Sequence, residues 1–227
     1  MKRSHAAARL ADLPLHVVRL ASLTTGAIAA ASDALIAGDL AAAQRVIDDD
    51  DAVDTVRHSI EDDCLDLLAT GALEDADLRF AVATLRVAHE LERSADLMVN
   101  VAKTTWRLHD HPLDDPSRQL IERLGRQGAL QLRVAVNAFA DRDSSSAAAL
   151  VDMDGAMDEL ERALFRHILA VEGPDEADLV GAVQLGLVAR HYERVGDHAV
   201  TIAGQVHVVA TGERPPHRRR TRIGVAG

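Results

Sequence analysis

The chain has 227 residues, of which 48% are hydrophobic but only 2% aromatic, and a formal net charge of -11. It is long enough to bury a core, which must rest on Ala, Leu and Val rather than on rings, and its acidity argues against nucleic acid as the main partner. Cys64 is the single cysteine, which excludes an internal disulfide and fits the cytoplasm.

Apolar residues recur at the helical period nearly throughout, and Gly and Pro mark the ends of six expected helices. The first runs from about Leu10 to Ala37, with Pro14 beginning or kinking it because proline lacks the backbone donor. The second follows Gly38-Asp39 and stops near Gly71; the third spans about Asp75 to His109, before Pro112. The fourth starts near Pro116, whose fixed φ suits a first turn. The fifth covers Ser144 to Val171. Gly173-Pro174 then breaks the chain, and the sixth runs to about Thr211, where Gly212 and Pro215-Pro216 end it. No uncharged run reaches membrane-spanning length, so at most a peripheral membrane contact is expected. The start MKRSHAAARLADL has no apolar signal core. The final stretch ERPPHRRRTRIG carries five arginines and reads as a basic, disordered tail over 215–227.

The chain repeats itself. HELERSADLMVNVAK at 89–103 returns as RHYERVGDHAVTIAG at 190–204, and ALIAGDLAAAQRVIDDDDAVD at 34–54 falls on AFADRDSSSAAALVDMDGAMD at 138–158. Repeats of about a hundred residues are too long for a solenoid and fit two equivalent bundles. The expected fold is therefore all-α, a tandem of two pseudo-symmetric three-helix bundles, residues 1–112 and 113–214.

Each copy of the Glu-Arg-x-x-Asp motif aims two carboxylates the same way, Glu92 with Asp96 and Glu193 with Asp197. On the second and fifth helices Asp50, Asp54 and Glu61, then Asp154, Asp158 and Glu161, interrupt apolar stripes. The stripes read as Ala43, Val46, Ile47, Val53, Cys64, Leu65 and Leu68, and as Leu150, Val151, Met157, Phe165 and Ile168. Ionised carboxylates beside apolar stripes need a partner. In one reading Asp50, Asp54, Glu92 and Asp96 face each other, as do Asp154, Asp158, Glu193 and Asp197, making hard oxygen-rich sites for Mg, Mn, Fe or Zn. In the other, Arg57, Arg86, Arg93, Arg190 and Arg194 neutralise the acids in an ion-pair seam.

His89 and His198 adjoin the acids and could add nitrogen ligands. No Glu-x-x-His occurs, HELER lacks the second histidine of a zincin, and neither a P-loop nor a nucleophile elbow is present. Cys64 lies on an apolar stripe, where it packs rather than reacts. No residue is assigned as catalytic. The alternatives to a regulator are a metal-dependent phosphohydrolase using the carboxylates and a metal-free helical adaptor.

ERVGDHAVTIAGQVHVVATGE at 193–213, with Asp75-Ala76-Asp77-Leu78-Arg79 in the first half, resembles the PhoU-type phosphate-transport regulatory proteins over residues 10 to 214. The resemblance implies two pseudo-twofold-related bundles, often dimeric, with multinuclear Fe or Zn on the acidic face. The implied ligands are Asp50, Asp54, Glu92, Asp96, Asp154, Asp158, Glu193 and Asp197. It also implies repression of high-affinity phosphate uptake and of the phosphate-starvation response, through the importer's ATPase subunit and a membrane-bound sensor histidine kinase. The first copy departs from the pattern, with Ser94, Ala95 and Leu97 where the second has Val195, Gly196 and His198.

Overall fold

The computed structural model of the chain describes residues 2–71, 73–171 and 176–213. Gly173-Pro174 and the basic tail lie outside them. The two halves share the turn that follows their first helix. Gly38 at φ 66° and Arg142 at φ 55° adopt left-handed backbone at equivalent places, and Asp39 and Asp143 follow as helix caps. Asp39 accepts from Ala42 N, and Asp143 from Ser145 N and Ser146 N. Those serine bonds hold the Asp143 carboxyl down to about 2.

Among the described residues seven helices form: α1 (Lys2–Ala37), α2 (Leu40–Asp48), α3 (Asp50–Ala69), α4 (Asp75–Arg107), α5 (Asp115–Ala140), α6 (Ser144–Ile168) and α7 (Glu176–Thr211). α1, α2–α3 and α4 make the first bundle, and α5, α6 and α7 the second. The bundles join where α1 packs on α5 and α4 on α7. Arg107 reaches Gln184, Ser94 reaches His198 and Arg86 reaches Gln205. Numbers rise along α4 as they fall along α7, so the two run antiparallel. This is the expected tandem, drawn together into one block with α3 and α6 on its flanks.

Aliphatic side chains fill that block, with few rings. Leu13, Val17, Leu20, Ile28, Leu91, Met98, Ile121, Leu124 and Val195 are fully buried. Phe80 stacks on Phe139 with centroids 5.2 Å apart, and the Arg142 guanidinium lies 4.4 Å from the Phe80 ring centroid, tying α4 to the end of α5.

Several expectations need correction. The second helix is not continuous: it breaks at Asp49 inside the run Asp48-Asp49-Asp50-Asp51. Four successive carboxylates repel one another and are poor helix formers, whereas Asp50 and Asp51 in the first turn of a new helix meet its positive end. The equivalent run in α6, Asp152-Met153-Asp154-Gly155, has half the charge, and α6 is unbroken. α1 begins at Lys2 and runs through Pro14, so the proline does not start it. Leu65 and Phe165, placed on buried stripes, are 57% and 37% exposed; Val151 lies outside the residues whose side chains are described. One helix, Ala7–Ala37, is after all long and apolar enough to cross a membrane by length and composition. Isolated charges such as Arg19 hid it from a search for uncharged runs; here Leu13, Val17, Leu20 and Ile28 are buried in the core.

Candidate metal centre

α3 and α4 form the first acid face. Burial, then Asp96, Asp54 and Glu92 in that order, push the Asp50 carboxyl up to about 6. Burial and Asp96 raise Glu92 as well, against Arg57 and His89. All four expected residues of this half therefore share one electrostatic field. Arg57 enters it: Nε lies 3.7 Å from Asp54 Oδ1, and Nη1 donates to Glu61 Oε1 at 2.6 Å. His89 Nδ1 is 3.6 Å from Glu92 Oε2.

α6 and α7 form the second face, which is tighter. Asp158, Glu161 and Glu193 each offer an oxygen, all within 4.8 Å of one another. Glu193 is only 3% exposed. Arg190 Nη1 lies 2.7 Å from Glu193 Oε2 and 3.7 Å from Glu161 Oε1, while Arg162 Nη2 donates to Asp158 Oδ2 at 3.2 Å. Burial raises the Glu161 carboxyl, with Arg190 opposing. Asp154 and Asp197 lie outside that trio. They flank Gly196, where an added Cβ would sit 3.7 Å from Asp154 Oδ1 and 3.2 Å from Gln131 Oε1.

Glu161 was visible in the sequence as an acid interrupting a stripe, yet was not assigned to the site. The signal that could have found it is its spacing, three residues after Asp158 and so on the same helix face; the repeat hid it, since Glu161 aligns with Arg57. Gln131 gave no signal, because nothing in an α5 sequence read alone distinguishes it from a surface glutamine. His198 is the reverse case. It turns from the acids toward α4, its Nδ1 2.9 Å from Ser94 Oγ and its Nε2 3.8 Å from Glu90 Oε2. Burial, with Arg93 and Arg194, lowers it to about 4. Cys64 is buried, and burial pushes its thiol up to about 12, as a packing residue requires.

The ion-pair reading also finds partial expression. Arg57 and Arg190 contact acids and Arg93 acts on Glu90, but Arg86 donates to Gln205, and Arg93 from α4 and Arg194 from α7 both act on His198. Three close carboxylate oxygens form a hard donor set, which suits Mg, Mn, Fe or Zn. A bound cation would displace Arg190 or share the acids with it.

A family model described as PhoU domain matches the chain twice, at residues 17–105 and 121–206. A phosphate-specific transport system accessory protein PhoU homolog 1 of Mycobacterium leprae is 32% identical over 208 residues, covering 91% of this chain and 93% of that protein. A PhoU homolog of Xylella fastidiosa is 30% identical over 209 residues, 91% of this chain and 88% of its own length. The crystal structure of PhoU from Pseudomonas aeruginosa superposes with a TM-score of 0.84 at 25% identity, covering 91% of this chain and 99% of that one.

Proposed function

The chain belongs to the PhoU family of phosphate-transport accessory proteins, and we propose that it represses high-affinity phosphate uptake and the phosphate-starvation response when phosphate is plentiful. It acts in the cytoplasm, as a homodimer, by contacting the importer's ATPase subunit and the sensor histidine kinase. Metal, multinuclear Fe or Zn with Mn or Mg as lesser candidates, binds on the acid faces.

The observation that carries this reading is the duplication of one acid face on a single helical block. α3–α4 and α6–α7 each present a group of carboxylates at one flank. Asp158, Glu161 and Glu193 would hold a cation in the second half, and Asp50, Asp54, Glu92 and Asp96 in the first. The cation supplies positive charge to faces that otherwise repel themselves. These side chains position it; none is given a proton-transfer or nucleophilic role.

Deleting the gene should derepress phosphate uptake and phosphate-regulated reporters in phosphate-replete medium. Unchanged reporter activity would overturn the regulatory reading. Turnover of phosphate esters by the metal-loaded protein, abolished by Glu193→Gln, would favour the phosphohydrolase instead.

A further inference from the structure

Gln131 of α5 is completely buried, and neither atom of its carboxamide meets a hydrogen-bond partner among the described residues. Native interiors seldom leave such a group unmet. Its Oε1 points at Gly196 of α7, from α5, while Asp154 Oδ1 approaches the same place from α6. The notch is narrow. A Cβ on Gly196 would lie 3.2 Å from Gln131 Oε1 and 3.3 Å from Met157 Cγ, closer than side chains ordinarily approach. It adjoins the trio of Asp158, Glu161 and Glu193, because Asp158 follows Asp154 by one helical turn and Glu193 precedes Gly196 by nearly one.

The first half has no counterpart. The residues aligned with Gln131, Asp154 and Gly196 are Ala27, Asp50 and Ala95. The carboxylate is kept, the amide is gone, and the glycine is an alanine.

We propose that Gln131 is a neutral oxygen ligand to a divalent cation held by Asp154 at the Gly196 notch, a subsite peculiar to the C-terminal half. An amide oxygen is a hard donor that raises coordination number without adding a further negative charge to the acids already gathered there. A Cβ at position 196 would crowd the Gln131 oxygen, so alanine there would hinder its reach to an ion. The inference rests on the reading of the acid faces as metal sites.

The test is Mn²⁺ titration of the full chain, stripped of metal, followed by electron paramagnetic resonance. Gln131→Leu should weaken binding at least tenfold, the lower end of the range for residues that support a metal site. Gln131→Glu, which keeps an oxygen in place, should bind at least as well as the unaltered chain. Melts of the metal-free proteins should show Gln131→Leu no less stable, since leucine removes an unmet amide. Unchanged Mn²⁺ binding by Gln131→Leu overturns the inference. Loss of binding in both Gln131→Leu and Gln131→Glu overturns it as well, because the oxygen would then not be what matters. If Gln131→Leu fails to fold, Gly196→Ala must show the same weakening, and undiminished binding by that variant overturns the subsite. Binding lost in Glu193→Gln but kept in Gln131→Leu preserves the metal reading without the notch; no Mn²⁺ binding by the unaltered chain removes both.

Discussion

Arg57 and Glu161 stand at the same place in the two halves, each three residues after an aspartate of its acid face, Asp54 or Asp158. One brings a guanidinium into its acid face and the other a carboxylate. The halves therefore differ in charge at this position. The C-terminal half should bind cations more firmly.

Exchanging that charge tests the difference. Glu161→Arg should remove most of the metal bound at the second face, and Arg57→Glu should add capacity to the first. Metal content per chain, measured under the same limiting metal, reads both. Glu193→Ala/Asp197→Ala should likewise lose more than Glu92→Ala/Asp96→Ala, with circular dichroism checking that each folds. Equal losses would show that the substitution of Arg57 by Glu161 across the repeat does not set affinity.

How far the sequence reveals this site depends on what kind of interaction is being read. Periodicity exposed the helices, because burying an apolar stripe leaves a regular mark. The repeat exposed the paired acids, because each recurs in register. The break at Asp49 follows from local repulsion among Asp48, Asp49, Asp50 and Asp51, which the sequence displays. His198 and Gln131 were not legible. A histidine one residue after Asp197 lies about 100° around the helix from it, and which neighbouring helix it meets is decided by tertiary packing. Leu65 and Phe165 show the same limit: the stripe is wider than the surface that neighbouring helices cover.

The acid faces should not hold the metal-free fold together. Asp54 pairs with Arg57 at 3.7 Å and Asp158 with Arg162 at 3.2 Å, with every partner partly exposed. Exposed pairs are worth less than about 1 kcal/mol, and losing one of several like charges offsets part of that. Asp54→Asn and Asp158→Asn should shift the unfolding free energy of the metal-free chain by no more than about 1 kcal/mol. A loss above about 3 kcal/mol, the scale of a broken buried pair, would restore the ion-pair seam as their main role.

Two titrating groups, half-buried Asp50 and buried His198, tilt stability with pH in opposite directions. Asp50 rises from 3.8 to about 6 on folding, so between those values the folded chain keeps a proton that the unfolded chain has released. Its contribution improves as pH falls from about 6 toward 4. His198 drops from 6.5 to about 4, so over that interval the unfolded chain takes up a proton that the folded chain refuses. Its contribution worsens as pH falls. Asp50→Asn should be slightly more stable than the unaltered chain at pH 7, by under about 1 kcal/mol because the site is partly solvated. It should also lose stability more steeply toward pH 5, while His198→Asn should flatten the loss. Denaturant titrations at pH 7 and pH 5 decide; an unaltered pH slope in Asp50→Asn would show that its carboxyl does not titrate as placed.

The joint between the two bundles should depend on Gly125. A Cβ there would fall 2.4 Å from Ser32 Oγ, and Ser32 cannot easily retreat. Its hydroxyl donates to the Ile28 carbonyl at 2.7 Å and lies 2.6 Å from the Tyr192 hydroxyl, which is itself fully buried. Gly125→Ala therefore forces α1 and α5 apart or breaks this chain of hydrogen bonds. Overpacking of that kind costs about 1 to 3 kcal/mol, and alanine's better helix propensity returns only about 1 kcal/mol of it. Removing the hydroxyl alone should not fully repair the variant, because Ser32→Ala leaves the buried Tyr192 hydroxyl without its partner. Gly125→Ala/Ser32→Ala/Tyr192→Phe removes the 2.4 Å contact and the orphan but leaves the Ser32 Cβ 3.2 Å from the new methyl, so it should regain part of the lost stability in denaturant melts. If Gly125→Ala is as stable as the unaltered chain, α1 and α5 do not approach at this point as closely as the Ser32 contact requires.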